Sequence, residues 1–457
     1  MQLRQWQEDC ASLALQKFQR RQRHFMALAT PGAGKTVMAA VVAKRLFDAN
    51  EIDYVVCFAP SVAVLNSMRT TFYSVLAKSM HGQLGAAGGV YTYQYLASSK
   101  KADWSFLTTS RVLVVFDEIH HCGGDEPEFA NAWGREVLRS LGSQAKYILS
   151  MTGTPWRSDL APITLASYID PDKTIHCDYV YGIADAINDG VCRLPEVVLI
   201  DNDKLQVNEE TYGSLKSAIE HSELRYSELL ADSQALRHLL TVAVQQLHIA
   251  RQEQPNAAGL VVASSVREAR RIKHILQSEF NQTTVMVTYR EPSPQAVIEN
   301  FRTSHSQWIV SVSMVSEGTD IPRLRVCAHL SLVRTELFFR QVLGRVLRLM
   351  PGLANNKAWL ISFAEKSLLE FAQRLQQDIP EKIIRFEKEE SPASPEPPLS
   401  IGTGINSSQN TKFQALGESW NCYASEPEEN LANSALLFSL KGNYRQQVFS
   451  IFSTGTA

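Results

Sequence analysis

Cysteine is scarce and irregularly spaced in this sequence, with seven among 457 residues. An odd number of cysteines without a repeating interval argues against the disulfide framework of a small secreted protein. The first ten residues, MQLRQWQEDC, lack the apolar core of a signal peptide. We therefore expect reduced thiols and a cytoplasmic location.

Long apolar runs and a strong net charge are missing as well. No apolar run approaches the roughly 20 residues that a membrane-spanning helix needs, so a membrane partner is not expected. The formal net charge is only −2, so a binding surface for a polyanion would have to be a local basic patch. The length is too great for one hydrophobic core and predicts two or three domains.

Short apolar runs alternate with helical patterns along most of the chain. Each run has about the length of a buried strand, and most are rich in Val, Ile, Leu or Phe. Between the runs, residues 36–47 have helical spacing, and Ser61 is placed to cap a helix that follows Pro60. The alternation predicts parallel sheets covered by helices on both faces. The runs are 24–29, 54–59, 112–116 and 147–151 in the first half, and 259–265, 284–289, 308–314, 325–332 and 357–363 in the second half.

The alternation is interrupted in two places. Residues 205–255 are polar with helical spacing, which predicts a helical insertion. Residues 386–400 are charged and proline-rich, which is typical of an extended or disordered linker. Beyond them, residues 431–452 carry scattered apolar side chains and form either a small docking element or an ill-ordered tail. The predicted units are a first lobe over 1–193, a second lobe over 194–383, and a linker and C-terminal extension over 384–457, which is a candidate surface for a protein partner.

A glycine-rich segment, ATPGAGKT at 29–36, lies between the first apolar run and a helical pattern, as a P-loop requires. Gly32 and Gly34 would let backbone N–H groups curl around phosphates. Lys35 would reach the β and γ phosphates, and the Thr36 hydroxyl would bind Mg²⁺. A chance glycine-rich turn is the alternative, but the strand and the helix are correctly placed for the loop. The other predicted nucleotide-binding residues of this segment are Thr30, Pro31 and Ala33.

An acidic pair, Asp117 and Glu118, follows the apolar run at 112–116. Two acids at the carboxyl end of a buried strand are costly unless they serve an ion or a reaction. Asp117 would hold Mg²⁺, and Glu118 would orient and deprotonate an attacking water. An exposed loop is the alternative for the pair alone, and the upstream P-loop favours the catalytic interpretation.

Five motifs, in order and spacing, resemble motifs I, II, III, V and VI of superfamily 2 helicases, in the DExH subset. The resemblance covers roughly residues 1–365 and extends to bacterial helicases that serve as motor subunits of type III restriction and repair systems. It implies an α/β fold of two tandem RecA-like P-loop lobes, each a doubly wound parallel sheet, with a helical insertion and a partly disordered C-terminal tail. Ala29 stands where the usual P-loop has its first glycine, as in many helicases. The motifs are ATPGAGKT (29–36), FDEIHH (116–121), MTGTPWR (151–157), MVSEGTDIPRLRV (314–326) and RTELFFRQVLGRVLR (334–348).

The resemblance assigns further roles around a bound ATP. Gln7, supported by Arg4, would hydrogen-bond the adenine edge. His120 would contact Gln341 across the cleft between the lobes. The segment 152–154 would couple the state of the nucleotide to lobe movement, although a simple strand-end turn also explains its glycine.

In the last motif, Gln341, Arg345 and Arg348 are spaced by four and three residues, which would place them on one face of a helix. A solvated basic face is one interpretation of this spacing. The resemblance implies instead that the two arginines act as fingers that reach ATP from the second lobe. Gly318 and Asp320 complete the implied nucleotide-contacting set.

Nucleic-acid contacts are implied by segments that resemble motifs Ia and Ib. Such helicases grip the sugar-phosphate backbone with small hydroxyl side chains and backbone N–H groups, so binding without sequence preference is expected. Each position taken singly is equally well explained as a helix cap or a turn. The candidates are Pro60, Ser61 and Thr92 in the first lobe and Ser264, Gly318 and Thr319 in the second.

We therefore expect an ATP-dependent helicase or translocase that uses ATP and Mg²⁺ and acts on nucleic acid. DNA is favoured because the EGTDIP and TYQYL segments are similar to those of bacterial DNA helicases, and RNA is the alternative. Two other interpretations stay open. One is a duplex translocase or remodeller that does not unwind, and the other is an ATP-gated subunit of a larger nucleic-acid-processing or defence complex.

Overall fold

A computed structural model of the chain describes residues 2–98, 104, 106–123, 132–137, 141–142, 144–154, 163–169, 174–312, 321–349, 357–377 and 438–450. Across these ranges no helix combines the length and the apolar character that crossing a bilayer requires. The predicted linker at 386–400 lies outside the described residues, as do Gly318, Thr319 and Asp320.

The first part of the chain forms a parallel sheet of six strands. The strands of this part are β1 (His24–Ala29), β2 (Tyr54–Ala59), β3 (Gly88–Thr92), β4 (Val112–Asp117), β5 (Tyr147–Thr152), β6 (Ser167–Ile169), β7 (Thr174–His176) and β8 (Tyr179–Tyr181). The helices are α1 (Gln5–Gln19), α2 (Lys35–Asp48), α3 (Val62–Leu76), α4 (Tyr93–Ser98), α5 (Phe106–Thr109), α6 (Ala132–Glu136) and α7 (Ile183–Asn188). The order in the sheet is β3-β2-β4-β5-β1-β8, and β6 pairs separately with β7.

Both faces of this sheet are buried. Along β2, Val55 and Cys57 belong to one hydrophobic core, while Val56 and Phe58 belong to the core on the opposite face. A strand buried on both faces needs apolar side chains at successive positions, which is why continuous apolar runs predicted β1, β2, β4 and β5. Strand β3 begins with two glycines and contains no continuous apolar run, so the sequence did not predict it.

The second part of the chain forms a seven-stranded sheet. Its strands, with two short ones beside it, are β9 (Leu194–Asn202), β10 (Leu205–Val207), β11 (Glu210–Tyr212), β12 (Ala258–Ala263), β13 (Thr284–Val287), β14 (Trp308–Ser311), β15 (Leu324–Leu330), β16 (Lys357–Phe363), β17 (Phe438–Leu440) and β18 (Tyr444–Ser450). The helices are α8 (Leu215–His221), α9 (Tyr226–Ala231), α10 (Ser233–Glu253), α11 (Val266–Ser278), α12 (Pro294–Thr303), α13 (Glu336–Val346) and α14 (Lys366–Gln377). The order is β13-β14-β12-β15-β16-β9-β18, in which only β18 is antiparallel to its neighbour.

The prediction of two doubly wound parallel sheets is confirmed. The sheets divide the chain between β8 and β9, close to the expected limit at residue 193, and the domain limits themselves stay a prediction. The helical insertion at 205–255 is correct from α8 to α10 but wrong at its start, where β10 and β11 form a hairpin. Polar side chains on a short, half-exposed hairpin do not produce the apolar run that marks a buried strand.

Part of the C-terminal extension joins the second sheet. β18 runs antiparallel to β9, with Phe449 opposite Val197, and β17 pairs with β10. The ring of Tyr444 also stacks on that of His238 in α10, with centroids 3.9 Å apart. Of the two interpretations for residues 431–452, the small docking element is therefore correct for residues 438–450, and the ill-ordered tail is wrong for them.

This packing predicts that the second lobe depends on β18 for stability. Phe449 is 4% exposed, so Phe449→Ala should lower the free energy of unfolding by about 3 kcal/mol, since it removes a buried ring. Gln447→Ala, an exposed position on the same strand, is the matched control and should change it by about 0.5 kcal/mol or less. Chemical denaturation measures both. Equal effects of the two substitutions would mean that β18 does not pack on the lobe in solution.

Candidate active site

The segment between β1 and α2 has the geometry of a phosphate-binding loop. Gly32 and Gly34 have φ angles of 85° and 96°, in the left-handed region that favours glycine. Gly34 also lacks room for a side chain, because a Cβ there would lie 2.7 Å from Nε2 of Gln7. The turn leads directly into the first N–H groups of the 14-residue helix α2, where the helix dipole favours an anion. These residues therefore fit a phosphate group.

Arg4 and Gln7 brace this loop from the N-terminal side. Nη1 of Arg4 donates to the carbonyl of Ala33 at 2.6 Å, and Nε2 of Gln7 donates to the carbonyl of Gly34 at 3.0 Å. Oε1 of Gln7 accepts from the backbone N–H of Arg4 at 3.0 Å. Both side chains therefore hold loop backbone, which is a role that the sequence analysis did not foresee. The adenine contact of Gln7 stays a prediction.

Lys35 and Glu118 form an ion pair at the centre of the site. Nζ of Lys35 lies 3.0 Å from Oε1 of Glu118 and donates to the carbonyl of Ala29 at 3.1 Å. Burial opposes the charge on Glu118, but Lys35, His120 and the Gly153 N–H together hold the pKa of this carboxyl well below its usual range. Glu118 is therefore ionised at neutral pH and neutralises the P-loop lysine.

The backbone at Glu118 is strained, and the segment 152–154 contacts its carboxylate. Glu118 has φ 53° and ψ 55°, a left-handed conformation that is costly for a residue with a side chain. The N–H of Gly153 donates to Oε2 of Glu118 at 2.9 Å. Nδ1 of His120 lies 2.8 Å from Oγ1 of Thr152. The acid pair and the third motif are thus one hydrogen-bonded unit.

The second lobe contributes to the same cleft, which has a volume of about 390 Å³. Gln341, Arg345 and Arg348 line it opposite the P-loop. Arg348 is not on the face of α13, as the spacing predicted, because the helix ends at Val346. Instead Arg348 forms an isolated β-bridge with Cys192, which carries its backbone past the end of the helix. From the first lobe the lining includes Arg4, Pro31, Gly32, Gly34, Lys35, Thr36, Asp117, Glu118, Gly153 and Thr154.

The structure describes the residues of two predicted contacts, and the contacts themselves stay predictions. His120 is 2% exposed and lies against the third motif, while Gln341 lines the cleft, so their mutual contact stays a prediction. Asp117 ends β4, and its carbonyl accepts a 2.8 Å hydrogen bond from the hydroxyl of Tyr93. Thr36 and Asp117 both line the cleft, as two ligands of one Mg²⁺ would.

The four predicted nucleic-acid residues that the structure describes lie at the carboxyl ends of strands, and two of them have structural tasks as well. Oγ of Ser61 caps α3 by accepting from Val64, and Oγ1 of Thr92 accepts from the N–H of Tyr95. Pro60 lines the same cleft, and Ser264 is half-buried between β12 and α11. Their contacts with nucleic acid stay predictions.

Several lining residues were missed by the sequence analysis. Val64, Ser67 and Thr71 of α3 face the cleft, together with Val191 and Pro322. The three α3 positions follow Pro60 at spacings of three and four residues, so helical periodicity places them on one face of α3. No local signal marks Val191 or Pro322, which chain segments distant in sequence bring to the cleft.

A substitution at Gly153 tests whether this geometry holds Lys35 in place. A Cβ on Gly153 would lie 3.0 Å from Nζ of Lys35 and 3.1 Å from Cδ of Pro31, so Gly153→Ala should displace the lysine. We expect ATP affinity to fall about tenfold, equivalent to about 1.4 kcal/mol. Gly213→Ala, where a Cβ meets no atom within 4 Å, is the control. Titration with a fluorescent nucleotide measures both, and unchanged affinity in Gly153→Ala would show that the lysine position tolerates the methyl group.

Comparison with known proteins gives two family matches. The model described as "Type III restriction enzyme, res subunit" matches residues 1–157, and "Helicase conserved C-terminal domain" matches residues 236–350. Uncharacterized proteins of Mycobacterium leprae and Mycobacterium tuberculosis are each 32% identical to the chain, over 344 and 351 residues. Each alignment covers 71% of this chain and 56% of the relative, so the chain spans about half the length of these curated relatives.

Solved structures show the same fold at low sequence identity. A fragment assigned as the HsdR subunit of a type I restriction enzyme from Vibrio vulnificus aligns with a TM-score of 0.56 and 16% identity, over 80% of this chain and 65% of that one. The ATP-dependent type ISP restriction-modification enzyme LlaBIII, solved bound to DNA, aligns with a TM-score of 0.50 and 14% identity, over 79% and 27%. The two family matches, over residues 1–157 and 236–350, support a superfamily 2 helicase that resembles the res subunits of type III restriction enzymes, and the solved structures show the same fold.

Proposed function

We propose that the chain is an ATP-driven motor that acts on DNA and couples ATP hydrolysis to translocation or strand separation. The observation that carries this proposal is the cleft, in which the P-loop and acid pair of the first lobe face Gln341, Arg345 and Arg348 of the second. A site divided between two lobes changes shape when the lobes move, so hydrolysis there can drive movement.

In the proposed reaction, the α2 N-terminus and Lys35 hold the phosphates of ATP. Thr36 and Asp117 would hold Mg²⁺, which supplies positive charge to the β and γ phosphates when bound. Glu118 orients a water molecule and accepts its proton as the water oxygen attacks the γ phosphorus, while the bond from that phosphorus to the bridging oxygen breaks and ADP leaves with the oxygen. Arg345 and Arg348 stabilise the charge that develops on the transferred group.

The ion pair between Lys35 and Glu118 gives a physical link between binding and catalysis. Lys35 is one of the groups that keep the pKa of Glu118 low. When phosphate oxygens attract Lys35, that carboxylate loses its nearest cation and its pKa moves upward. A less stabilised carboxylate is a stronger base, so nucleotide binding would prepare Glu118 for proton transfer.

The direct bond between Gly153 and Glu118 supports the coupling role of the third motif. A shift of Glu118 on nucleotide binding would move or break the 2.9 Å hydrogen bond that the N–H of Gly153 donates to its carboxylate. The same segment contacts His120 through Thr152. We infer that this hydrogen-bonded unit couples the state of the nucleotide to lobe movement.

DNA as the partner is supported by the similar proteins, which are type III, type I and type ISP restriction enzymes, the last of them solved bound to DNA. The candidate contact residues support a backbone grip without sequence readout, because Ser61, Thr92 and Ser264 offer small hydroxyl groups at the carboxyl ends of strands. We propose that a protein partner binds through the C-terminal extension, whose strands β17 and β18 pair with β10 and β9 of the second lobe.

ATP turnover of the purified full chain tests this proposal. We expect single- or double-stranded DNA to stimulate steady-state hydrolysis about tenfold or more, and RNA to stimulate it less. Strand-displacement and triplex-displacement assays then separate unwinding from translocation. Absence of stimulation by every nucleic acid would contradict the motor function, and stimulation by RNA alone would contradict the DNA preference.

Glu118→Gln is the matched control for that assay. It removes the proton acceptor and should lower turnover by a factor on the order of 10² or more. Nucleotide affinity should stay equal or increase, because Lys35 loses the carboxylate that competes with phosphate. Turnover near that of the wild type in this variant would contradict the assigned base.

The finger role of Arg345 gives a separate prediction. Arg345→Ala should lower turnover on the order of a thousandfold while nucleotide affinity changes only a few-fold, because the guanidinium acts on the transition state. Arg340→Ala on the same helix is the control, since Arg340 pairs with Glu336 at 3.0 Å and does not line the ATP cleft. Steady-state rates and nucleotide titrations decide, and equal turnover in the two variants would remove Arg345 from the reaction.

A further inference from the structure

Arg193 is a fully buried cation at the junction of the two lobes. Arg193 is 0% exposed and lies between α7, the last helix of the first lobe, and the start of β9. Its guanidinium donates to neutral oxygens in every hydrogen bond that the described residues provide. Burying a charge without a carboxylate partner costs free energy, so the presence of an arginine at this position calls for a physical reason.

The guanidinium joins two segments that border the ATP cleft. Nη1 donates to the carbonyls of Leu324 at 2.7 Å and Val346 at 3.1 Å, and Nη2 donates to the carbonyl of Pro322 at 3.0 Å. Val346 is the last residue of α13, and Pro322 lines the cleft. One planar side chain therefore holds the end of α13 against the segment that precedes β15.

The backbone of the same residue completes the grip. The N–H of Arg193 donates to the carbonyl of Leu347 at 2.7 Å. The residue before it, Cys192, forms the isolated bridge with Arg348. The stretch from Val346 to Arg348 is thus fixed at successive positions, directly after Arg345. A cation at the C-terminal end of α13 is also favoured by the helix dipole.

We propose that Arg193 is a positioning residue, which holds the end of α13 so that Arg345 and Arg348 face the ATP cleft. This role rests on the motor function proposed above. Arg193 does not line the cleft itself, so it acts through the two arginines. Burial and the nearby charge of Arg325 lower the pKa of Arg193 to about 9, which leaves the guanidinium charged at neutral pH.

Arg323 provides a matched control within the same lobe. It is 3% exposed, and its guanidinium donates to the carbonyls of Phe301, at 2.7 Å from Nη2, and Asn256, at 3.1 Å from Nη1. Phe301 lies in the last turn of α12, and no described residue that lines the cleft belongs to α12. Arg193 and Arg323 are therefore both buried cations at helix C-termini, and only Arg193 holds a helix that carries cleft residues.

The test compares Arg193→Lys with Arg323→Lys in the full chain. A lysine keeps the charge but carries its donors on one nitrogen and lacks the planar fork that spans these carbonyls, so both variants should lose thermal stability to a similar degree. Arg193→Lys should also lower the DNA-stimulated kcat about tenfold with the KM for ATP within about threefold. Arg323→Lys should keep kcat within about twofold. Equal kcat in the two variants would overturn the positioning role.

A second measurement does not depend on turnover. The complex of ADP and aluminium fluoride mimics the transferred phosphoryl group, so correctly placed arginines should make it raise Tm more than ADP alone does. This extra stabilisation should be lost in Arg193→Lys and kept in Arg323→Lys. Its persistence in Arg193→Lys would also overturn the proposal.

Two further outcomes separate this proposal from the motor function. Arg193→Gln, which keeps amide donors without the charge, repeats the comparison if the lysine variant is not recovered folded, with Arg323→Gln as its control. If neither Arg193 variant folds while both Arg323 variants do, Arg193 is only a structural anchor and the proposal is wrong. If the wild-type chain does not hydrolyse ATP, the motor function is contradicted. If the wild-type chain hydrolyses ATP and Arg193→Lys does so at the same rate, only the positioning role is contradicted.

Discussion

The ion pair between Lys35 and Glu118 links the elements on which the site depends. The lysine begins α2, the glutamate follows β4, and their charged atoms lie 3.0 Å apart in a mostly buried setting. Two charges removed from water need each other and their hydrogen-bond partners, so this contact fixes the end of β4 against the P-loop. The N–H of Gly153 then attaches the end of β5 to the same carboxylate. Three neighbouring segments of the first lobe therefore meet at one pair of charges, and a ligand that draws Lys35 away affects all three.

Close packing constrains the P-loop from two sides. From the N-terminal helix, the Arg4 and Gln7 side chains hold its carbonyl groups. From the second lobe, the aliphatic part of Arg348 lies so near Gly32 that a Cβ there would be 3.2 Å from its Cγ. A Cβ on Gly344 would similarly lie 2.8 Å from Cβ of Pro31. Both lobes therefore touch the loop directly, and in the proposed motor a change in what the loop binds would reach the second lobe without an intermediate element.

The C-terminal strand extends this dependence to the far end of the chain. β18 covers the edge that β9 would otherwise expose, and a covered edge is protected from pairing with other chains. β9 in turn begins beside Arg193, whose guanidinium holds the end of α13. At the junction with the first lobe, the buried side chain of Arg193 thus adds a link between the second lobe's sheet and its arginine-bearing helix, which also pack on each other.

Local patterns in the sequence were sufficient for the parts whose physics is local. A strand buried on both faces must be a continuous apolar run, so β1, β2, β4 and β5 and most of the second sheet could be predicted, as could the helix that Ser61 caps. The P-loop and the acid pair could be predicted as candidates because their residue types are costly or uncommon in most other settings. Only tertiary structure decided that Arg348 leaves the helix, because its bridge to Cys192 depends on chain pairing across the lobe junction. The same holds for β18 on β9 and for the oxygens around Arg193, since residues far apart in sequence create contacts that no short window of it contains.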